Sequence, residues 1–181
     1  FNYLILSFAG NTGVAAYGVI ANISLVVVAV YTGISQGIQP LLSRSCGQND
    51  LYGIRQVLRY AIITLLAVSA AIYAFIFFFA APITAVFNSE GSRQMSEIAV
   101  PGLRLYFTAV PFVGFNIIMS VFFTSTDRPL PAHIITLLRG MILVVPMAFL
   151  LSFAAGMNGL WMTFPVTEGL VALFGLLAYR K

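Results

Sequence analysis

The chain has 181 residues, of which 60% are hydrophobic and only 8% charged, with a mean hydropathy of +0.99. Soluble domains carry about a quarter charged residues, so composition excludes a water-soluble globule and predicts an integral membrane protein. The net charge of +4 rests on arginines scattered between apolar runs and not on a basic stripe, which argues against a nucleic-acid partner.

Cys46 is the only cysteine and His133 the only histidine. An intrachain disulfide and a cysteine-based metal cluster are therefore impossible, and no metal site, cofactor or enzymatic site is predicted. Phe1 opens inside an apolar run, without a methionine or a basic leader, which reads as a piece of a longer protein and not as a signal peptide.

In chain order, residues 1–9 are too short to span and read as the end of a helix. Gly10-Asn11-Thr12-Gly13 predicts a tight turn. The first complete span is expected over 14–38, closed by Pro40, because proline cannot continue a helix without losing a hydrogen bond. A basic loop with Arg44, Arg55 and Arg59 hands over to a second span, 56–81, bounded by Pro82. The polar stretch up to Val100 suggests a short amphipathic helix at the membrane interface.

Span three is expected over 101–124 with Pro111 inside, and span four over 132–155 with Pro146 inside. Gly156-Met157-Asn158-Gly159 turns the chain into span five, 160–179, whose Trp161 and Tyr179 are expected at headgroup level. The fold class is thus all-α: one transmembrane unit, 1–181, of five complete membrane helices plus the end of a sixth. One side of this bundle holds Arg44, Arg55, Arg59, Arg128, Arg180 and Lys181. The other holds Arg93 and Arg104, diluted by Glu90 and Glu97. The positive-inside rule then makes 39–55 cytoplasmic and 82–100 external, in a multi-pass protein of the cell (inner) membrane.

At about 100° per residue, Gly18, Asn22, Ala29, Gly33 and Gln36 share roughly a sixth of the span-one circumference. Such a stripe either packs against another helix or lines a wet cavity, and amides facing lipid would be unsatisfied. On span three, Gly102, Tyr106, Ala109, Asn116, Ser120 and Thr124 share about a quarter turn. Asn22, Gly33, Gln36, Tyr106, Asn116 and Ser120 are therefore the candidate substrate-pathway residues. Pro111 should leave the Phe107 carbonyl without its usual donor. Phe112, Phe115, Phe122 and Phe123 could contact a lipophilic cation or simply face lipid. Glu168 is the one acid well inside a complete span, where an ionised carboxylate must be paired, neutral or cavity-facing. It is either a proton or cation coupling site or the structural partner of Arg139 in span four.

Several motifs carry a family resemblance. They are Gly33-Ile34-Ser35-Gln36-Gly37-Ile38-Gln39-Pro40-Leu41, followed by Gly47 and Arg55/Arg59, and Asn11-Thr12-Gly13-Val14-Ala15-Ala16-Tyr17. Val86-Phe87, Leu103-Arg104-Leu105-Tyr106, Pro111-Phe112-Val113-Gly114-Phe115-Asn116 and Leu137-Leu138-Arg139-Gly140 follow at the expected spacing. In order and spacing the chain resembles the second six-helix lobe of multidrug and toxin extrusion (MATE) transporters, with most of the lobe's first helix missing. The resemblance implies a two-lobed antiporter that exchanges H⁺ or Na⁺ for small-molecule organic cations by alternating access. It also implies a partner lobe in the same chain, whose first helix carries the family's best-known coupling aspartate. Some branches use acids on helices seven and ten; here the remnant of the first helix shows none and Asn116 and Ser120 take the polar positions on span three, which favours proton coupling. The alternatives are a flippase for lipid-linked oligosaccharides, whose cavity would need cationic residues, and a membrane assembly subunit without transport activity.

Overall fold

A computed structural model describes residues 2–88 and 91–180. Phe1, Glu90 and Lys181, which figure in the partial first helix and in the charge comparison, lie outside the described residues. Six helices follow in order: α1 (Asn2–Gly47), α2 (Leu51–Phe87), α3 (Arg93–Tyr106), α4 (Val110–Ser125), α5 (Pro129–Leu137) and α6 (Val144–Arg180). A 3-10 turn, Phe107–Ala109, joins α3 to α4, and a π-helical turn, Leu138–Ile142, joins α5 towards α6. The described residues contain no strand.

Two of these helices are hairpins. Gly10 (φ 60°, ψ −157°) breaks α1, and Ala155 with Gly156 (φ 56°, ψ −132°) breaks α6. Three residues after each break a second glycine lets the arms close. A Cβ on Gly13 would meet the Ala9 and Ile5 side chains, and one on Gly159 would run into the Leu151 carbonyl. Both turns were legible as glycine pairs, and both are tighter than a four-residue loop. The result is a short first arm and five complete crossings: 11–47, 51–87, 93–125, 129–154 and 157–180. This is the all-α membrane bundle expected: among the described residues four helical stretches are long and apolar enough to cross (α1, α2, α3 with α4 as one stretch, and α6), and a further crossing is assembled from α5, the π turn and the first arm of α6.

Several predicted boundaries are corrected. Pro40 and Pro82 do not end their spans but lie inside helices that run on to Gly47 and Phe87. Each removes a single N–H, and near a membrane surface water can satisfy the freed carbonyl, so the helix continues. Span two also begins earlier, because Asp50 caps it by accepting from the Gly53 N–H at 2.9 Å. The expected interfacial helix before Val100 is instead the start of span three. Ser92 caps α3 through Met95 N, and Asn88 closes the turn with bonds to the Ser92 carbonyl (2.8 Å) and the Ser96 hydroxyl (3.2 Å). The Phe107 carbonyl is not orphaned by Pro111, since the 3-10 turn lets Val110 N–H reach it. Pro146 acts upstream: the ladder is re-phased by a five-residue step, Leu143 N to Leu138 O at 3.0 Å.

The α3–α4 crossing is the centre of the bundle, packed by α1, α2, α5 and α6. Between helices in a membrane there is little hydrophobic gain, so close approach of small residues does the work. Gly102 lies under Trp161 and Ile20, and Gly114 under the Tyr31 ring. Trp161 is 1% exposed and stacks on Tyr17, so it is a core residue and not the interfacial anchor expected. Tyr179 is half-exposed at the other end of α6. Phe122 and Phe123 are also core, whereas Phe75, Phe78 and Phe79 of α2 face outward.

Candidate functional site

The first part of the site is the outer face of α1. Asn22, Ala29, Gly33 and Gln36 are all exposed, while Val27, Tyr31 and Ser35 on the opposite side are buried. A Cβ at Gly18, Gly33 or Gly37 would meet nothing within 4 Å, so the stripe is not a packing seam inside this bundle. Asn22 back-bonds through Nδ2 to the Gly18 carbonyl at 2.9 Å. The Gln36 amide makes no hydrogen bond with any described residue. At the N-terminal end of this crossing the stripe opens into a polar cleft of about 550 Å³ lined by Asn11, Thr12, Asn22, Asn88 and Ser92.

The second part is buried between α4, the π turn and α6. Glu168 is 1% exposed, and its Oε1 lies 2.9 Å from Arg139 Nη2 and 3.1 Å from Nε. Its Oε2 accepts from Asn116 Nδ2 at 2.7 Å, and the same amide donates to the Glu168 backbone carbonyl at 3.0 Å. A charge-assisted fork on one oxygen and an amide on the other satisfy the carboxylate without water. Arg139 sits within the π turn, so the register step that accommodates Pro146 also re-aims this side chain inward. Two polar atoms beside the cluster, Asn116 Oδ1 and Thr167 Oγ1, are buried without a hydrogen-bond partner among the described residues.

Of the residues singled out from sequence, Asn22, Gly33 and Gln36 are brought onto one open face. Tyr106 and Asn116 lie instead inside the bundle, at 6% and 0% exposure, with Tyr106 stacked flat on Phe164 at 4.6 Å. Ser120 is half-buried on the same helix as Asn116. Sequence reasoning placed Asn116 on a cavity-facing stripe and so did not pair it with Glu168, 52 positions away. The signal available was that a buried acid with one arginine partner still has a second oxygen to satisfy. Among the described residues no group of His, Cys, Asp and Glu could hold a metal ion.

The site thus has two separate parts, an arginine-clamped carboxylate inside the bundle and an amide-bearing α1 face that is exposed among the described residues. A family profile described as MatE matches residues 1–150. The chain belongs to the MATE family. Its members are transporters and not enzymes. Over 172 residues the chain is 25% identical to an FAD transporter from Shewanella oneidensis, covering 93% of this chain and 37% of that protein. It is 20% identical over 174 residues to the multidrug export protein MepA of Staphylococcus saprophyticus, covering 96% of this chain and 38% of the relative. The fold matches the outward-facing conformation of a multidrug resistance MATE transporter of the MOP superfamily with a TM-score of 0.90 at 20% identity. That alignment covers 99% of this chain and 40% of the other. An inward-facing MATE structure matches with a TM-score of 0.91 at 20% identity, over 99% of this chain and 41% of that one. The chain thus spans about two-fifths of the length of the MATE proteins it matches, and it is a multi-pass membrane protein.

Proposed function

We propose that this chain supplies one lobe of a secondary transporter that exports small organic molecules, organic cations foremost, in exchange for H⁺ or Na⁺. The observation that carries the reading is the glycine and amide face of α1. Asn22 and Gln36 are exposed on a helix long and apolar enough to cross a membrane, where amides facing lipid would be unsatisfied. The face therefore fronts an aqueous pathway shared with a second lobe. Asn22, Gly33 and Gln36 line that pathway, and the polar cleft at its outer end is the vestibule. Tyr106, Asn116 and Ser120 support the pathway from within the lobe.

The likeness to both an outward-facing and an inward-facing transporter supports a rocking mechanism. One lobe shape serves two states, so the switch falls between lobes and not within them. Glu168 is held between Arg139 and Asn116, which supports a structural role for the pair and leaves coupling to an acid of the other lobe. The arginine asymmetry supports a cytoplasmic 39–55 and an external 82–100.

A second reading, FAD as cargo, is favoured by the Shewanella relative: the amides of the face can hydrogen-bond the flavin, and the cations that its diphosphate needs would come from outside this face. Gly33→Leu in the full-length protein tests the pathway. A Cβ at Gly33 meets nothing within 4 Å, so expression and melting temperature should hold while accumulation of ethidium, or of FAD, in everted vesicles is lost. Full efflux by the variant, or loss of the folded protein, would remove the pathway from this face.

A further inference from the structure

The bundle carries a second long groove, away from the α1 face, between α2, α4 and the last arm of α6. Its deeper part, about 400 Å³, is lined by Leu65, Leu66, Pro111, Phe112, Gly169 and Leu173. Its outer part, of about the same volume, is lined by Leu58, Met119 and Tyr179 and ends at Arg55 and Arg59. Ile62, Phe115 and Leu176 line both parts, so the two are one continuous channel. Beyond Phe115 the lining carries no polar side chain, so water has nothing to hold it there.

The dimensions match one leaflet. From Arg55 to Leu66 helix α2 rises about 16 Å at 1.5 Å per residue, against about 15 Å for half of a bilayer's hydrocarbon core. The charges match a headgroup. Arg93, Arg104, Arg128 and Arg139 each have a carboxylate or carbonyl partner, whereas Arg55 and Arg59 have none among the described residues. They also border a further pocket of about 360 Å³ with Tyr52, Gln56 and Tyr60, which widens the basic end of the groove. An apolar slot one leaflet deep, closed by two free guanidinium groups and a rim tyrosine, has the shape and charge of a phospholipid site.

We infer that this groove binds an anionic phospholipid, its phosphate on Arg55 and Arg59 and an acyl chain running to Gly169 at mid-membrane. The lipid is a permanent neighbour of α2 and α6 and not cargo, because the groove lies apart from the polar α1 face. The inference does not depend on the export reading: a transport-dead variant would still hold the lipid.

Native mass spectrometry of the full-length protein, exchanged into mild detergent with equal phosphatidylglycerol and phosphatidylcholine, tests it. The wild type should retain phosphatidylglycerol over phosphatidylcholine by about tenfold or more, since each guanidinium at the surface adds attraction for anionic lipid. R55Q/R59Q should abolish that preference, while R44Q, at the end of α1, should leave it intact. Gly169→Leu fills the floor, where only the Phe112 ring lies as near as 3.9 Å, and should lower occupancy by both lipids with the melting temperature unchanged. Equal retention of the two lipids, a preference that survives R55Q/R59Q, or one lost equally in R44Q would overturn the site. So would an adduct-free dimer that Gly169→Leu dissociates, because a second copy of the chain would then fill the groove.

Discussion

Glu168 shows how a buried charge is tolerated when every oxygen has a donor. Arg139 covers Oε1 and Asn116 covers Oε2, and the arginine keeps 21% of its side chain exposed while the acid keeps 1%. Removing the carboxylate alone leaves a largely buried guanidinium without its acceptor and the Asn116 amide with only the backbone carbonyl of residue 168. Glu168→Ala should therefore cost about 3–5 kcal/mol, while the double variant E168A/R139A recovers much of that loss. Glu168→Gln keeps the Asn116 contact and loses the charge, so it should fall between. Thermal melting in detergent measures all three; a double variant no more stable than E168A would show that the two side chains are not energetically linked. The acid and its arginine were legible in the sequence because charges are rare in membrane spans and must be compensated. The amide that completes the cluster was not, because its helix face was read for what it shows to a cavity and not for what it meets inside the lobe.

At the scale of elements, the bundle is shaped by glycine pairs and prolines. Gly10/Gly13 and Gly156/Gly159 repeat one device: a left-handed glycine reverses the chain and a second glycine lets the arms close. Gly159→Ala drives a methyl group into the Leu151 backbone carbonyl, which cannot move aside as a flexible side chain can. A loss of about 1–3 kcal/mol is expected. Gly37→Ala faces open space and should be neutral or gain up to about 1 kcal/mol from helix propensity. Equal melting temperatures for the two variants would refute the hairpin closure. Glycine turns could be read from the sequence because few residues tolerate that backbone. The prolines misled at Pro40 and Pro82, where the chain continues through a single lost bond. At Pro111 and Pro146 the sequence could not say how the ladder would be repaired, since 3-10 and π turns leave no compositional mark.

At the scale of the whole molecule, the number of crossings and their order were legible, because a membrane forces about twenty apolar residues into each span. Which face of each helix meets lipid, core or water was only half legible. Two polar stripes were read, and they end in different surroundings: the α1 stripe is exposed beyond the bundle, whereas Tyr106 and Asn116 of the other are buried within it. The central claim is that the α1 face fronts a water-filled path between lobes, and a comparison of two single cysteines in a Cys46→Ser full-length protein tests it most directly. Gln36→Cys, on the α1 stripe, and Phe78→Cys, replacing a 74% exposed side chain of α2, would be treated in membranes with a charged thiol reagent that does not enter lipid. The account predicts rapid labelling of the Gln36→Cys variant, slowed by transported substrate, and no labelling of the Phe78→Cys variant. Equal silence at both positions would place the α1 face in lipid and contradict it.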